Sequence, residues 1–294
     1  MKTQRRQPTL ACPSGRKTAE RNAAGNASST PPQRDSPRPG ETSPTEDGRA
    51  TPSHPPEAGQ DTLAAALVTG LSQLQLEASE TQRRQLLDHL ALVQHWGRIY
   101  NLTAIRDGHR MLVHHLIDSL SIVPGLRRHL AERSHREMPQ RLLDVGSGAG
   151  LPGVAIAIML PAVEVCCVDT VAKKATFITQ VAAELGLANL RAAHARVEAM
   201  VDTPYDVITS RAFASLQDFV AWTRHLLAPE GVWLAMKGRI PTTELGLLVA
   251  GVDAFHVEPL RVPGLDAERC LVWMRQSTSS RPSSFAPLGT TPPL

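Results

Sequence analysis

The residues Asp144-Val145-Gly146-Ser147-Gly148-Ala149-Gly150 place three alternating glycines directly after the apolar pair Leu142-Leu143. Glycines at such a turn let the backbone bend tightly and approach a ligand without a Cβ in the way. In doubly wound sheets, ligands bind beyond the carboxyl ends of the strands, where a turn of this kind falls. Asp169 closes a second apolar run 23 residues after Gly146. An acid at that spacing can accept hydrogen bonds from a ribose, so the pair indicates a cofactor that contains a nucleoside. The plainer readings are a glycine turn that only permits close packing, and an Asp169 that caps a helix ahead of Lys173-Lys174. Leu151-Pro152 follows the glycines. Proline removes one of the amides that would cradle a phosphate, which favours a phosphate-free nucleoside cofactor such as S-adenosylmethionine. A nicotinamide-dependent oxidoreductase shares the turn and Asp169 and stands as the rival enzyme.

Other reactive residue types are weaker signals. Cys12, Cys166, Cys167 and Cys270 form no CxxC pair. Cys166 and Cys167 are neighbours in an apolar run, where strand geometry points them to opposite faces, so buried free thiols are expected. His114-His115 diverge by about 100° on a helix and suit packing or RNA contact better than zinc. No metal site is expected. Lys237 and Arg239 follow an apolar run and suit RNA phosphates or a solvated loop.

Strands must carry these residues to one edge. Short apolar runs at 141–145, 163–168, 190–195, 205–209 and 231–236 alternate with helical patterns at 152–160, 172–185, 216–227 and 244–249. Two last strands, 255–260 and 269–274, have no helix between them and should pair antiparallel at the sheet edge. Alternating units of this kind predict a mostly parallel, doubly wound α/β sheet. Ahead of the first strand, helices are expected at 61–76, 79–101 and 111–122. The second opens on the capping-box spacing Ser79–Gln82, and the third stops at Pro124-Gly125.

Composition divides the chain unevenly. Residues 1–60 hold ten of the 23 prolines and no Phe, Trp or Tyr, too little apolar surface to offset ordering. We expect a disordered tail at 1–60, a helical cap at 61–130, the α/β domain at 131–275 and a second disordered tail at 276–294. The net charge of +3 resides in residues 1–60, and the remainder balances at 22 Lys/Arg against 22 Asp/Glu. The folded part therefore does not present itself as a general polyanion binder, although a local basic face is compatible with neutrality. No apolar region follows the early basic residues, and no run approaches a membrane span, so a cytoplasmic protein without a membrane association is expected.

Several segments together resemble the ribosomal RNA small subunit methyltransferase G family. They are Trp96-Gly97-Arg98-Ile99-Tyr100-Asn101-Leu102-Thr103, the run from Met111 to Ser119, the run from Leu143 to Gly153, Ser210-Arg211-Ala212-Phe213-Ala214-Ser215, and Lys237-Gly238. The resemblance implies a class I S-adenosylmethionine methyltransferase fold with a seven-stranded, mostly parallel sheet. It implies methylation of N7 of the guanine conventionally numbered 527 in 16S rRNA, within the small ribosomal subunit. It also implies cofactor contacts at Gly146, Leu151, Val197, Glu198 and Arg211. Beside that, Glu198 reads as a turn cap and Arg211 as half of a salt bridge. The residues at the expected transfer position agree with the implied acceptor. There is no Asn/Asp-Pro-Pro-aromatic sequence for an exocyclic amine and no strand-end cysteine to attack a pyrimidine. Guanine N7 has a lone pair and no proton, so no general base is expected and catalysis reduces to alignment. Arg211 then suits a carboxylate or phosphate partner. A non-catalytic ribosome-assembly factor on the same fold is the remaining alternative. A monomer is expected.

Overall fold

A computed structural model of the chain describes residues 58–277 apart from 101, 134–138 and 212–214. The expected tails at 1–60 and 276–294 lie outside these residues except at their inner ends, where α1 begins at Ala58 and the last strand reaches Gln276. The middle of the run from Ser210 to Ser215 lies outside them as well.

The cap comes first. Helix α1 spans Ala58–Gln73 and α2 spans Glu80–Tyr100. The expected capping box forms: Ser79 Oγ accepts from the Gln82 amide at 3.2 Å, and the Gln82 side chain accepts from the Ser79 amide at 2.9 Å. The third expected helix is broken into parts. Helix α3 (Gly108–Met111) passes into a π-helical turn, Leu112–Ile117, then α4 (Asp118–Leu120). This helical stretch stops ahead of Pro124-Gly125, as expected, but the pair was not expected to start a new helix. It opens another helix, α5 (Val123–Ala131), whose first turn tolerates proline because an amide there needs no helical partner.

The α/β region follows in order β1 (Arg141–Val145), α6 (Gly153–Met159), β2 (Glu164–Asp169), α7 (Ala172–Glu184), β3 (Leu190–His194) and β4 (Tyr205–Arg211). It continues as α8 (Leu216–Thr223), β5 (Leu227–Lys237), α9 (Thr242–Gly246), β6 (Val252–Leu260) and β7 (Arg269–Gln276). Among the described residues these strands form one seven-stranded sheet in the order β3-β2-β1-β4-β5-β7-β6. The pairs from β3 to β5 are parallel, and β7 runs antiparallel to both β5 and β6. The expected mostly parallel sheet with an antiparallel pair at its edge is therefore present.

Alternation along each strand feeds two cores. Leu142, Cys167, Val207, Leu234 and Leu271 face the cap, α6 and α7. Leu143, Cys166, Ile208, Trp233 and Val272 face α8 on the other side. Parallel strands covered on both faces are apolar throughout, which is why these read as unbroken hydrophobic runs. Cys166 and Cys167 do point to opposite faces, and with Cys270 they are buried free thiols. Reversal of chain order between β1 and β4 creates the crevice over the glycine turn.

Candidate functional site

The turn after β1 is anchored to β2: the Gly146 and Ser147 amides donate to the Val168 carbonyl at 2.9 and 3.2 Å. Ser147 Oγ donates to the Asp144 carbonyl at 2.8 Å. Gly146 and Gly150 have φ of 70° and 80°, which side-chain-bearing residues rarely adopt. From the cap, buried His89 approaches the Ala149 carbonyl with Nε2 at 3.0 Å. Since a carbonyl only accepts, this nitrogen carries the proton. Burial pushes the His89 pKa down to about 4, against the opposing effect of that bond, so the ring is neutral at pH 7.

Asp144 closes the amino end of α6. Its Oδ2 accepts from the Gly153 amide at 2.8 Å, and the next amide, Val154, donates to the Gly150 carbonyl at 2.7 Å. Burial pushes the Asp144 pKa up to about 6, opposed by the Gly153 bond and by the charge of Arg211. An anion thus already occupies the place where a phosphate would otherwise sit. The donor set suits a nucleoside cofactor that brings no phosphate.

Asp169, at the end of β2, is only 6% exposed. It accepts from the Gly148 amide at 3.0 Å and the Val171 amide at 2.9 Å, with Lys174 Nζ at 3.8 Å. It is therefore partly a turn-stabilising residue, but a carboxylate offers roughly four acceptor positions, which leaves capacity for hydroxyl donors.

Two cavities meet at Gly146. The smaller, about 380 Å³, is lined by Asp169, Val171, Lys174, Val197, Glu198 and Trp222. Val197 is buried and Glu198 exposed on a single 3₁₀ turn, Val197–Ala199. The larger, about 530 Å³, is lined from the turn by Gly148, Ala149 and Leu151, from the cap by His114, His115 and Asp118, and from the sheet by Arg211, Lys237 and Arg269. The structure thus groups Asp169, Val197 and Glu198 on one side of Gly146, and Leu151 and Arg211 on the other.

The remaining candidates separate. Lys237 is paired with Glu244 at 2.9 Å, while Arg239 is exposed beside a different cavity of about 390 Å³. His115 Nε2 lies 2.6 Å from Thr103 Oγ1; burial, then the charge of Arg211, lowers its pKa to about 4. Among the described residues no group of three or more His, Cys, Asp or Glu is placed to hold a metal. Sequence reasoning assigned no role to Asp118, Arg269 or Trp222. Asp118 had one available signal, the one acid between Leu112 and Leu120. Arg269 and Trp222 gave none, since only tertiary packing brings them to the crevice.

The family model described as rRNA small subunit methyltransferase G matches residues 82–272. A protein of Methylibium petroleiphilum named ribosomal RNA small subunit methyltransferase G is 56% identical over 214 residues, covering 73% of this chain and 95% of that one. A protein of the same name from Acidovorax sp. strain JS42 is 59% identical over 213 residues, covering 71% and 94%. The crystal structure of TrmN from Thermus thermophilus is similar with a TM-score of 0.41 at 20% identity, over 55% of this chain and 52% of that one, too partial a likeness to bear on the site.

Proposed function

Since the chain belongs to the rRNA small subunit methyltransferase G family, we propose that it methylates N7 of the guanine numbered 527 in 16S rRNA. The acceptor is taken as the assembled small subunit, and the protein as a cytoplasmic monomer. Among the described residues no helix is long and apolar enough to cross a membrane. The cofactor is S-adenosylmethionine, and the nicotinamide alternative and the non-catalytic alternative fall with the family membership.

The observation that carries the residue-level reading is the pair of cavities joined at Gly146. Asp169 would hold the ribose hydroxyls in the smaller cavity, with Val197 and Glu198 along the base. Gly146 and Leu151 would shape the passage into the larger cavity, where Arg211 would meet the carboxylate of the methionine moiety. When bound, the cofactor supplies an electrophilic methyl group on a sulfonium. The chain's part is to align the acceptor nitrogen, exclude water and hold charge; none of its groups has a proton to take, because N7 carries none. Neutral His115 fits that division, adding no cation to a wall that already bears Arg211 and Arg269.

The test is transfer of labelled methyl groups to small subunits purified from cells that lack this modification. Label on guanine N7 at position 527 is expected. Label on another atom, or on naked rRNA in preference to subunits, would overturn the substrate assignment.

A further inference from the structure

Asp118 is 3% exposed and takes no part in the roles assigned above. Its Oδ1 accepts from Arg269 Nε at 2.8 Å. Its Oδ2 lies 3.5 Å from Arg211 Nη1, the same nitrogen that lies 3.4 Å from the His114 carbonyl. Three separate elements converge here: Arg211 ends β4, Arg269 begins β7, and Asp118 follows the π-helical turn of the cap. All three side chains line the larger cavity.

A buried carboxylate loses its hydration and is stable only where charge-assisted bonds replace it. One arginine would suffice for that. This carboxylate carries two, and it leaves the cluster with one net positive charge facing the cavity. The neighbouring cation, Lys237, is held by Glu244, so Arg211 and Arg269 are the guanidinium groups on this wall. π-Helical turns concentrate at functional sites because the extra residue per turn redirects the side chains and carbonyls that follow. Here the turn sets both the His114 carbonyl and Asp118 against Arg211.

We propose that Asp118 is a positioning residue for methyl transfer, orienting Arg211 and Arg269 into the cavity so that Arg211 is preset for the cofactor's carboxylate. The inference rests on the cofactor reading of Arg211. Without the carboxylate, two like-charged guanidinium groups repel each other and each long side chain samples other rotamers. Affinity for a ligand that needs one arrangement then falls by the fraction of time that arrangement is kept.

Asp118→Asn keeps the shape and removes the charge. Calorimetric titration with S-adenosylmethionine and with S-adenosylhomocysteine should show at least tenfold weaker binding, while the melting temperature stays within a few degrees of wild type. Asp118→Glu should recover part of the loss. In an Arg211→Gln background, adding Asp118→Asn should change affinity less than twofold, since the carboxylate acts through that arginine. Unchanged affinity in Asp118→Asn, or full additivity with Arg211→Gln, would overturn the proposal. Should Asp118→Asn fail to fold, Arg269→Lys keeps the charge but loses the Nε donor, and it should weaken binding severalfold; no change there would also overturn it. Wild-type binding separates the two ideas. A wild type that binds neither ligand sinks the cofactor reading and this inference with it, whereas a wild type that binds while the variants are indifferent sinks this inference alone.

Discussion

Asp169 shows how one side chain serves structure and ligand together. Its carboxylate holds the Gly148 and Val171 amides, so the ribose-binding role proposed for it uses lone pairs left over from fixing the turn. Asp169→Asn retains one acceptor oxygen and loses the charge. Hydrogen bonds to charged groups contribute about 1.5–3 kcal/mol, so S-adenosylmethionine binding should weaken ten- to a hundredfold in calorimetric titration. A variant that binds as wild type does would remove Asp169 from the ribose. Asp169 was legible because its distance along the chain from Gly146 already encodes one turn-helix-strand unit. Asp118 was not, because its partner Arg269 is 151 residues away and no local pattern reports such a meeting.

Elements are where sequence reading succeeded most and where its misses are instructive. Strand positions followed from apolar runs, and the capping box at Ser79 followed from spacing alone. The break before Pro124 was read, but helix α5 beyond it was not, because proline marks both the end of one helix and the first turn of the next; here it does both. The π-helical turn had no signal: it packs on α1 and α2, contacts that no local spacing reports. Helix α6 offers a sharp test. A Cβ on Gly153 would fall on Cys167 Sγ and lie 2.8 Å from Asp144 Oδ2. Gly153→Ala must therefore push α6 off β1 and β2, and overpacking of this kind costs about 1–3 kcal/mol. Urea denaturation should show that loss, together with weaker cofactor binding because the glycine turn moves with the helix. An alanine variant as stable as wild type would contradict the close approach.

At the scale of the whole molecule, buried ionisable groups set an acid limit. His89 and His115 are both lowered to about 4, chiefly by burial. The unfolded chain takes up protons on them from about pH 6.5 downward while the folded chain does not. Their contribution is complete above that pH and is lost as pH falls towards 4. Asp144, raised to about 6 by burial, acts in the opposite sense: the folded chain binds its proton first, and stability is recovered as pH falls through 6. Two histidines outweigh one carboxyl, so going from pH 7 to pH 4.5 should cost about 2–3 kcal/mol from these groups. Urea midpoints measured across that range check it, and a midpoint that rises on acidification would reverse the sign. A second expectation concerns the chain's ends. Deletion of residues 1–57 removes the proline-rich segment and leaves α1 whole, so S-adenosylmethionine affinity should stay within twofold; a larger loss would move the proposed domain boundary.

The placement of β7 carries a consequence for how the protein is made. It is the last strand among the described residues, yet it lies inside the sheet between β5 and β6, and its first residue, Arg269, lines the larger cavity. A growing chain with everything up to β6 complete still lacks the partner that both β5 and β6 require. Domains acquire their structure as translation proceeds, and long-range pairings close late. The cap, though synthesised before the sheet, must therefore wait for β7 before Asp118 can engage Arg269. The crevice is finished only once β7 has left the ribosome, so a product terminated before Arg269 lacks a wall of the cavity proposed to hold the cofactor.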